Sequence, residues 1–251
     1  MIYKKSPEEI EIMRRGGAIH AETMNRLEEA LRPGVTTGEL DKLARETMEA
    51  RNATPSFLGY RGFTGSICAS PNEVIVHGIP GQLALEDGDI ISIDVGVYFE
   101  GFHVDSAWTF AVGSVTPEAA ELLKVTEASL DAAIAQCRPG NRLGDVGFAV
   151  EQTAEAAGFS IVREYVGHGV GRALHEDPQI PNYGPPGRRE ILAPGMTLAI
   201  EPMVNAGGAA TKALSDGWTV VTADGSLSAH FEHTVAITSD GHEVLTQRGP
   251  R

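Results

Sequence analysis

The spacing of apolar residues predicts two consecutive helices near the N-terminus. Ser6-Pro7-Glu8-Glu9 has the form of a capping box with proline in the first helical turn. Apolar residues then recur close to the helical period of about 3.6 until Arg32-Pro33-Gly34 ends the pattern. A second helix begins at Thr36, where Glu39 completes another box, and its apolar stripe predicts one buried face. That stripe consists of Leu40, Leu43, Ala44, Thr47 and Met48.

The hydrophobic period changes to that of strands beyond the second helix. Val74-Ile75-Val76 is a short β-branched run, and every second residue from Ile91 to Val97 is isoleucine or valine. The segment from Val104 to Val112 also predicts a strand. Two helices followed by a group of strands favour the α+β class.

The same order of elements then begins again. Thr116-Pro117-Glu118 opens a helix as Ser6-Pro7-Glu8 does, and Arg138-Pro139-Gly140 ends it 106 residues after Arg32-Pro33-Gly34. Residues 85–94 also align with residues 192–201, at an offset of 107. We therefore interpret residues 1–251 as a single domain with an internal duplication.

The duplication predicts the architecture. The two pseudo-symmetric halves would span about residues 6–112 and 116–247, with no linker between them. A sheet with one apolar face needs cover on that face. We therefore predict two antiparallel sheet halves that form one curved sheet, with four helices covering its convex face.

Composition narrows the function classes. The 251 residues carry 34 acidic and 20 basic side chains, a net charge of −14, which disfavours nucleic acid and anionic membrane surfaces as partners. No run approaches the roughly 18 apolar residues of a membrane span, and the N-terminus does not have the pattern of a signal peptide. Cys68 and Cys137 are the two cysteines, too few for a disulfide framework, and they suit a reducing cytoplasm.

Four carboxylates become paired through the duplication. Asp94 corresponds to Glu201, and Asp105 corresponds to Glu232 because His103-Val104-Asp105 resembles residues 230–232 at an offset of 127. Two like charges about 4 Å apart repel by about 4 kcal/mol at an effective dielectric constant near 20. Four carboxylates in one site therefore need protons or cations, and two divalent ions would balance their charge.

A nitrogen ligand is available in Gly167-His168-Gly169-Val170-Gly171. An oxygen-rich set with one imidazole suits manganese, iron or cobalt better than structural zinc. A phosphate cradle is a weaker interpretation of this glycine-rich run, because no lysine or helix start follows as in a P-loop.

These residues carry a resemblance to a known family. The segments Asp94-Val-Gly-Val-Tyr-Phe-Glu-Gly-Phe-His-Val-Asp105, Gly167–Gly171, Ile200-Glu201-Pro202 and Phe231-Glu232-His233-Thr234 resemble the methionine aminopeptidases, specifically the bare type I enzymes of bacteria. The resemblance covers nearly the whole chain. It implies the pita-bread fold, in which two pseudo-symmetric halves surround a dinuclear metal centre.

The resemblance also implies site residues. Metal ligands would be Asp94, Asp105, His168, Glu201 and Glu232, with Asp105 and Glu232 bridging two divalent ions. The ions would be cobalt, manganese or iron, with zinc and nickel as further options. Glu201 would also shuttle a proton, while His77 and His175 would contact the scissile nitrogen and the carbonyl oxygen of the substrate.

A side-chain pocket and a second ion site follow from the same likeness. The pocket for methionine would be formed by Phe57, Tyr60, Phe63, Cys68, Leu174 and Trp218. Many bacterial members have cysteine, tyrosine and phenylalanine where Phe57, Phe63 and Leu174 stand, but the pocket stays apolar. A monovalent cation would bind at Asn72, Val74 and Ser228.

The function expected from this likeness is that of a monomeric, cytoplasmic metalloprotease. It would be an aminopeptidase that removes the initiator methionine from nascent proteins, preferring a small second residue, and the ribosome is a candidate partner although no basic arm is visible. One alternative is a proline-specific aminopeptidase of the same fold, which usually carries an extra N-terminal domain. Another is a metal-free adaptor, which would usually have lost ligands. His20, by contrast, is expected at the surface or boundary of the first helix.

Overall fold

The computed structural model describes residues 1–249 and contains four α-helices within them. These are α1 (Pro7–Ala30), α2 (Thr37–Glu49), α3 (Pro117–Ala135) and α4 (Leu143–Ala156), with one 3-10 turn at Tyr60–Gly62. None of the helices in the described chain has both the length and the apolar content that a membrane span requires.

Local capping sets where the predicted helices begin. The Glu9 amide donates to Ser6 Oγ at 3.3 Å, and the Ser6 amide donates to Glu9 Oε2 at 2.8 Å. Thr36 and Glu39 repeat this exchange at 3.2 and 2.8 Å. Both predicted capping boxes are therefore confirmed, and each supplies partners for amides that the first helical turn leaves free.

The described residues also form fifteen β-strands, most of them short. They are β1 (Thr54–Pro55), β2 (Cys68–Pro71), β3 (Val74–Val76), β4 (Ile90–Phe99), β5 (Phe102–Ala111), β6 (Ser160–Ile161), β7 (Gly167–Gly169), β8 (Glu176–Ile180), β9 (Thr197–Ile200), β10 (Met203–Asn205), β11 (Thr211–Ala213), β12 (Val220–Thr222), β13 (Ser228–His230), β14 (His233–Ile237) and β15 (His242–Val244). All their pairings are antiparallel.

The strands are distributed over four hydrogen-bonded sheets. Strands β1, β4 and β2 form one sheet, with β5 also paired to β4, while β15, β14, β9, β7 and β8 form the largest. Two three-stranded sheets, β13-β10-β6 and β11-β12-β3, lie beside them. The β4–β5 hairpin runs in register from Ile90 opposite Ala111 to Phe99 opposite Phe102. It is the longest ladder of the described residues and carries two of the predicted ligands.

Two hydrophobic clusters hold helices against these sheets. The first joins α1 and α2 to β4 and β5, with Met24, Leu40 and Ile93 fully buried. The second joins α3 and α4 to β9, β10 and β14, with Leu122 and Leu198 fully buried. Leu40, Ala44 and Met48, from the stripe predicted for α2, are fully buried in the first cluster. The division of the chain into one domain of two duplicated halves stays a prediction.

Side-chain hydroxyls join β5 to the segment 230–234. Thr234 Oγ1 accepts from the Asp105 amide at 2.9 Å and donates to the Asp105 carbonyl at 2.7 Å. Thr109 Oγ1 does the same for His230, at 2.9 and 2.8 Å. Between them the Glu232 amide donates to the Ala107 carbonyl at 2.9 Å. We call these contacts the hydroxyl seam, and they bring the backbone of Asp105 close to that of Glu232.

The expectation for His20 was wrong. Its side chain is fully buried on α1, and Nε2 lies 3.1 Å from the Ser106 carbonyl oxygen. Burial lowers the pKa of His20 to about 4, so the ring is neutral at physiological pH. The helical period alone placed this position near the edge of the apolar face, but the β4–β5 hairpin covers that edge.

Candidate active site

One cavity of about 420 Å³ is lined by the predicted metal ligands, by both predicted substrate histidines and by the residues of the predicted methionine pocket. The predicted residues on its wall are Phe57, Tyr60, Phe63, Cys68, His77, Asp94, Asp105, His168, Leu174, His175, Glu201, Trp218 and Glu232. The cavity lies between residues of both sequence halves. Folding therefore places together groups that are up to 175 positions apart in the sequence.

Strand register explains why the ligands converge. In the β4–β5 hairpin Asp94 lies opposite Ala107 and Asp105 lies opposite Gly96, so the two aspartates are diagonal neighbours on one face. In the large sheet Ala199 is the partner of both His168 and Thr234. Glu201 lies two residues after Ala199, and Glu232 lies two residues before Thr234. With the two-residue period of extended backbone, both are expected on the face of the sheet that carries His168.

The tightest part of the cluster contains Asp105, His168 and Glu232, each buried. One ligand atom from each lies within 4.8 Å of the others. Glu201 extends the group, with Oε1 3.5 Å from His168 Nε2. Carboxylate and imidazole atoms at this spacing form a donor set that a divalent cation can use.

Burial raises the pKa of every carboxylate in the cluster. It raises the pKa of Asp94 to about 7. Burial and then the neighbouring carboxylates also raise the pKa of Asp105, Glu201 and Glu232 well above their ordinary values. The charged forms are unfavourable because each must be desolvated beside other negative charges.

The unsatisfied atoms of the cluster fit metal ions. Asp94 Oδ1, Asp105 Oδ1 and Glu232 Oε1 are buried without a hydrogen-bond partner within the chain. Buried polar atoms normally have partners, and an orphaned carboxylate oxygen is costly. Cations would supply the missing contacts and neutralise the charge, so the residues present suit divalent ions.

The protonation of His168 suits a ligand role. Burial, and then His175, lower the pKa of His168 to about 3, which keeps the imidazole neutral. Its Nδ1 lies 2.9 Å from the Gly169 carbonyl oxygen. That contact orients the ring so that Nε2 faces Glu201, as an outer hydrogen bond commonly does for a histidine ligand.

An apolar pocket lies beside the cluster. Phe57, Phe63, Cys68 and Leu174 form its buried part, each no more than 8% exposed, and half-buried Tyr60 and Trp218 pack against them. The rings of Phe63 and Trp218 meet edge to face, with centroids 5.1 Å apart. Burial, with the nearby carboxylates, raises the pKa of the Cys68 thiol, which therefore stays protonated and behaves as a small apolar group.

The backbone sets the position of His77 directly after β3. Its φ of 61° is in the left-handed region. The next residue must be glycine, because a Cβ on Gly78 would lie 2.1 Å from the Ala69 carbonyl oxygen. The His77 ring meets the Tyr165 and Trp218 rings at 5.9 and 6.1 Å, nearly perpendicular to each. Burial lowers its pKa to about 4, so the imidazole is neutral.

His175 lies at the opposite wall, in the loop before β8. Its Nδ1 is 3.0 Å from the Tyr60 hydroxyl, and its ring centroid is 4.2 Å from that of His168. Desolvation at the cavity wall and the charge of Arg61 lower its pKa. The Tyr60 contact occupies one ring nitrogen and leaves Nε2 for another partner.

Several residues at or beside the cavity were missing from the predicted site, and three of them are polar or aromatic. Tyr165 and Arg61 line the wall, and His230 Nε2 lies 3.8 Å from Glu201 Oε2 and 3.9 Å from Glu232 Oε2. For His230 the available signal was its place in the duplicated His-x-acid triplet, residues 230–232. Tyr165 lies in an irregular segment and Arg61 in a single 3-10 turn, and in neither does a hydrophobic period indicate the direction of a side chain.

The predicted monovalent cation site has a local structure of its own. The Ser228 amide donates to the Asn72 carbonyl at 2.9 Å, and Ser228 Oγ donates to Asn205 Oδ1 at 2.8 Å. Asn72 has a φ of 54°. Asn72 and Ser228 are thus neighbours, while the binding of an ion there stays a prediction.

Comparison with known proteins identifies the family. Residues 11–239 match the model of metallopeptidase family M24. The chain belongs to metallopeptidase family M24. It is 54% identical over 247 residues to methionine aminopeptidase 1 of Bacillus subtilis. The alignment covers 98% of this chain and 100% of that protein.

Solved structures confirm the predicted pita-bread fold of the α+β class. The crystal structure of methionine aminopeptidase from Thermotoga maritima superposes with a TM-score of 0.97 at 46% identity, covering 99% of this chain and 100% of that one. The Xaa-Pro dipeptidase of Bacillus anthracis reaches a TM-score of 0.79 at 21% identity and covers 99% of this chain but 63% of its own. That second likeness shows the shared fold alone.

Proposed function

We propose that this chain is a methionyl aminopeptidase that removes the initiator methionine from the N-terminal peptides of nascent proteins. One observation carries the proposal: an apolar pocket and a carboxylate–imidazole cluster share the wall of a single cavity. The pocket suits a side chain, and the cluster suits hydrolysis of the bond next to it. Full-length similarity to methionine aminopeptidases supports this substrate.

Five residues would hold two divalent ions: Asp94, Asp105, His168, Glu201 and Glu232. Asp105 and Glu232 would be shared between the ions, in keeping with the hydroxyl seam that brings their strands together. Bound ions supply Lewis acidity toward the peptide carbonyl and lower the pKa of water. The oxygen-rich donor set favours cobalt, manganese or iron, with zinc or nickel as further options.

The chain's own groups would carry out the remaining work. Glu201 would accept a proton from the attacking water and deliver it to the leaving nitrogen. His175 would donate from Nε2 to the substrate carbonyl oxygen, while its Nδ1 is held by Tyr60. His77 would contact the scissile nitrogen. Both imidazoles are neutral because their pKa values are lowered.

The pocket accounts for recognition of methionine. A thioether on Phe57, Phe63 and Leu174 gains apolar contact and sulfur–aromatic contact without leaving a polar atom unpaired. The aromatic wall formed by His77, Tyr165 and Trp218 stands beside it and supports a preference for a small second residue. A monomeric state, a cytoplasmic location and association with ribosomes stay predictions.

Peptide hydrolysis tests this function. Peptides that begin Met-Ala, Met-Ile and Ala-Pro are incubated with the protein and manganese, iron or cobalt, with and without chelator, and cleavage is followed by mass spectrometry. We expect rapid loss of methionine from the Met-Ala peptide only, and loss of that activity with chelator or in Glu232→Gln. Cleavage that survives both treatments would contradict the proposal.

The Ala-Pro peptide addresses the proline-specific alternative. That alternative is not favoured, because the similarity to the Xaa-Pro dipeptidase is 21% while the methionine aminopeptidases reach 54%. The metal-free adaptor is also disfavoured, because all five predicted metal ligands line one cavity. Preferential cleavage of Ala-Pro, or no metal-dependent rise in melting temperature, would reverse these conclusions.

A further inference from the structure

A buried ion pair lies outside the cavity, between the N-terminal segment and the loop that carries His175. Lys5 Nζ is 2.5 Å from Glu176 Oε2, and the two side chains are only 4% and 5% exposed. Lysine is rarely buried to this extent unless it is paired. The adjacent Lys4 is exposed. The two lysines thus have different surroundings although they are neighbours in sequence.

The fold is shaped to receive Lys5. Its amide donates to the Gly195 carbonyl at 2.7 Å, which fixes the extended segment before α1. A Cβ on Gly195 would lie 2.9 Å from the Lys5 carbonyl oxygen, and a Cβ on Gly171 would lie 2.2 Å from Lys5 Cε. Two glycines therefore leave room for the backbone and the side chain of this one residue.

Glu176 connects the ion pair to the substrate loop, residues 171–175. This loop has neither helix nor strand hydrogen bonding, and β8 begins at Glu176. Glu176 Oε1 accepts from the Ala173 amide at 3.1 Å, and the Gly171 amide donates to the Ala173 carbonyl at 3.1 Å. One carboxylate thus holds the loop through one oxygen and Lys5 through the other.

The substrate loop supplies two groups to the cavity. Leu174 is buried in the apolar pocket and His175 faces Tyr60 and His168. Both lie within the turn that Glu176 closes. A reacting group misplaced by about 1 Å can cost about a hundredfold in rate, so the conformation of this turn bears directly on hydrolysis.

We propose that Lys5 is a positioning residue that acts through Glu176 to hold the substrate loop in its working conformation. The inference rests on the proposed function, because the substrate contacts of Leu174 and His175 belong to it. Removing the ammonium group leaves a buried carboxylate without its cation. Glu176 then turns toward water, the Ala173 amide loses its acceptor, and His175 moves with the loop.

The test compares Lys5→Met with Lys4→Met in the full-length, manganese-loaded protein. Methionine keeps the length and the apolar stem of lysine at both positions, so the buried charge is the variable. For Lys5→Met we expect kcat on a Met-Ala peptide to fall about tenfold to a hundredfold, with a smaller change in KM. Lys4→Met should match the unaltered protein in both constants.

Hydrogen–deuterium exchange of residues 171–176 supplies a readout that does not depend on the substrate. We expect exchange there to rise at least about tenfold in Lys5→Met, while exchange in β4 and β5 stays unchanged. A lower melting temperature with unaltered loop exchange and kcat, measured where the variant is folded, would overturn the proposal. A protein that cleaves no Met peptide but shows the expected exchange would refute the proposed function and leave the loop coupling intact.

A second variant covers the case in which Lys5→Met does not fold because it leaves the buried Glu176 carboxylate without its cation. Glu176→Gln keeps an oxygen that can accept from the Ala173 amide but removes the charge. If Lys5 acts through Glu176, adding Lys5→Met to Glu176→Gln should change kcat by less than about threefold. A further fall in kcat of about tenfold or more between Glu176→Gln and the double variant would show that Lys5 acts elsewhere.

Discussion

The unfolding free energy of the metal-free protein should fall as pH rises, because its buried carboxylates ionise. The substitution Asp94→Asn isolates the contribution of one of these carboxylates. Part of Asp94 faces the cavity, but its Oδ1 is buried without a partner in the chain. Burial raises its pKa from the ordinary 3.8 to about 7. Asparagine has nearly the same shape and cannot ionise.

The sign follows from proton binding in the two states. Between pH 3.8 and about 7 the folded protein holds a proton on Asp94 that the unfolded chain has released. The stabilising contribution is complete below the unfolded pKa and is lost as pH rises through the folded one. For these two pKa values the loss between pH 5 and pH 8 is about 2 to 3 kcal/mol of unfolding free energy.

Urea unfolding with chelator, at pH 5 and pH 8, measures this effect as a difference between the unaltered protein and Asp94→Asn. Buried histidines such as His20 and His168 have lowered pKa values and oppose the trend, but both proteins contain them and their contribution cancels. We expect Asp94→Asn to gain about 2 to 3 kcal/mol relative to the unaltered protein between the two pH values. Manganese should stabilise the unaltered protein more than the variant.

Parallel pH profiles for the two proteins would refute this reasoning, because they would mean that Asp94 is ionised in the metal-free fold already at pH 5. A variant that loses stability relative to the unaltered protein at pH 8 would refute it too. The second result would show that the negative charge is stabilised by a cation other than the one removed by chelator.

Other changes test the seam, the helix contacts and the pocket. Thr234→Val removes both hydrogen bonds to the Asp105 backbone and should lower the unfolding free energy by about 2 kcal/mol. It should also weaken manganese binding, measured by calorimetry. Unaltered manganese affinity would argue against a role for the hydroxyl seam at the metal centre. Gly17→Ala would place Cβ 1.8 Å from the Leu245 carbonyl oxygen and should cost about 2 kcal/mol or more in urea unfolding. Its control, Gly16→Ala, meets nothing closer than 3.6 Å and should be neutral or stabilising; equal losses would contradict the packing. Leu174→Ala removes apolar surface from the pocket and should raise KM for a Met-Ala peptide about tenfold, and an unaltered KM would place the methionine side chain elsewhere.

Local patterns predicted the helices well because their causes are local. The boxes at Ser6 and Thr36 need only residues three positions apart, and both helices begin where those boxes indicate. His20 shows where this reasoning fails, since the helical period gives the direction of a side chain but not which sheet will cover it. The same holds for Tyr165, which reaches the cavity wall from an irregular segment, and for Arg61, which reaches it from a single 3-10 turn.

The sequence by itself determined where α1, α2 and α3 begin, the strand periods and the repeated triplets that pair Asp105 with Glu232, because each follows from the spacing of residues along the chain. Only the tertiary structure decided which atoms meet. The hydroxyl seam, the approach of His230 to Glu201 and the burial of Lys5 against Glu176 join residues more than 25 positions apart. Such contacts depend on strand register and on space left by glycines, which the packing of the whole chain fixes together.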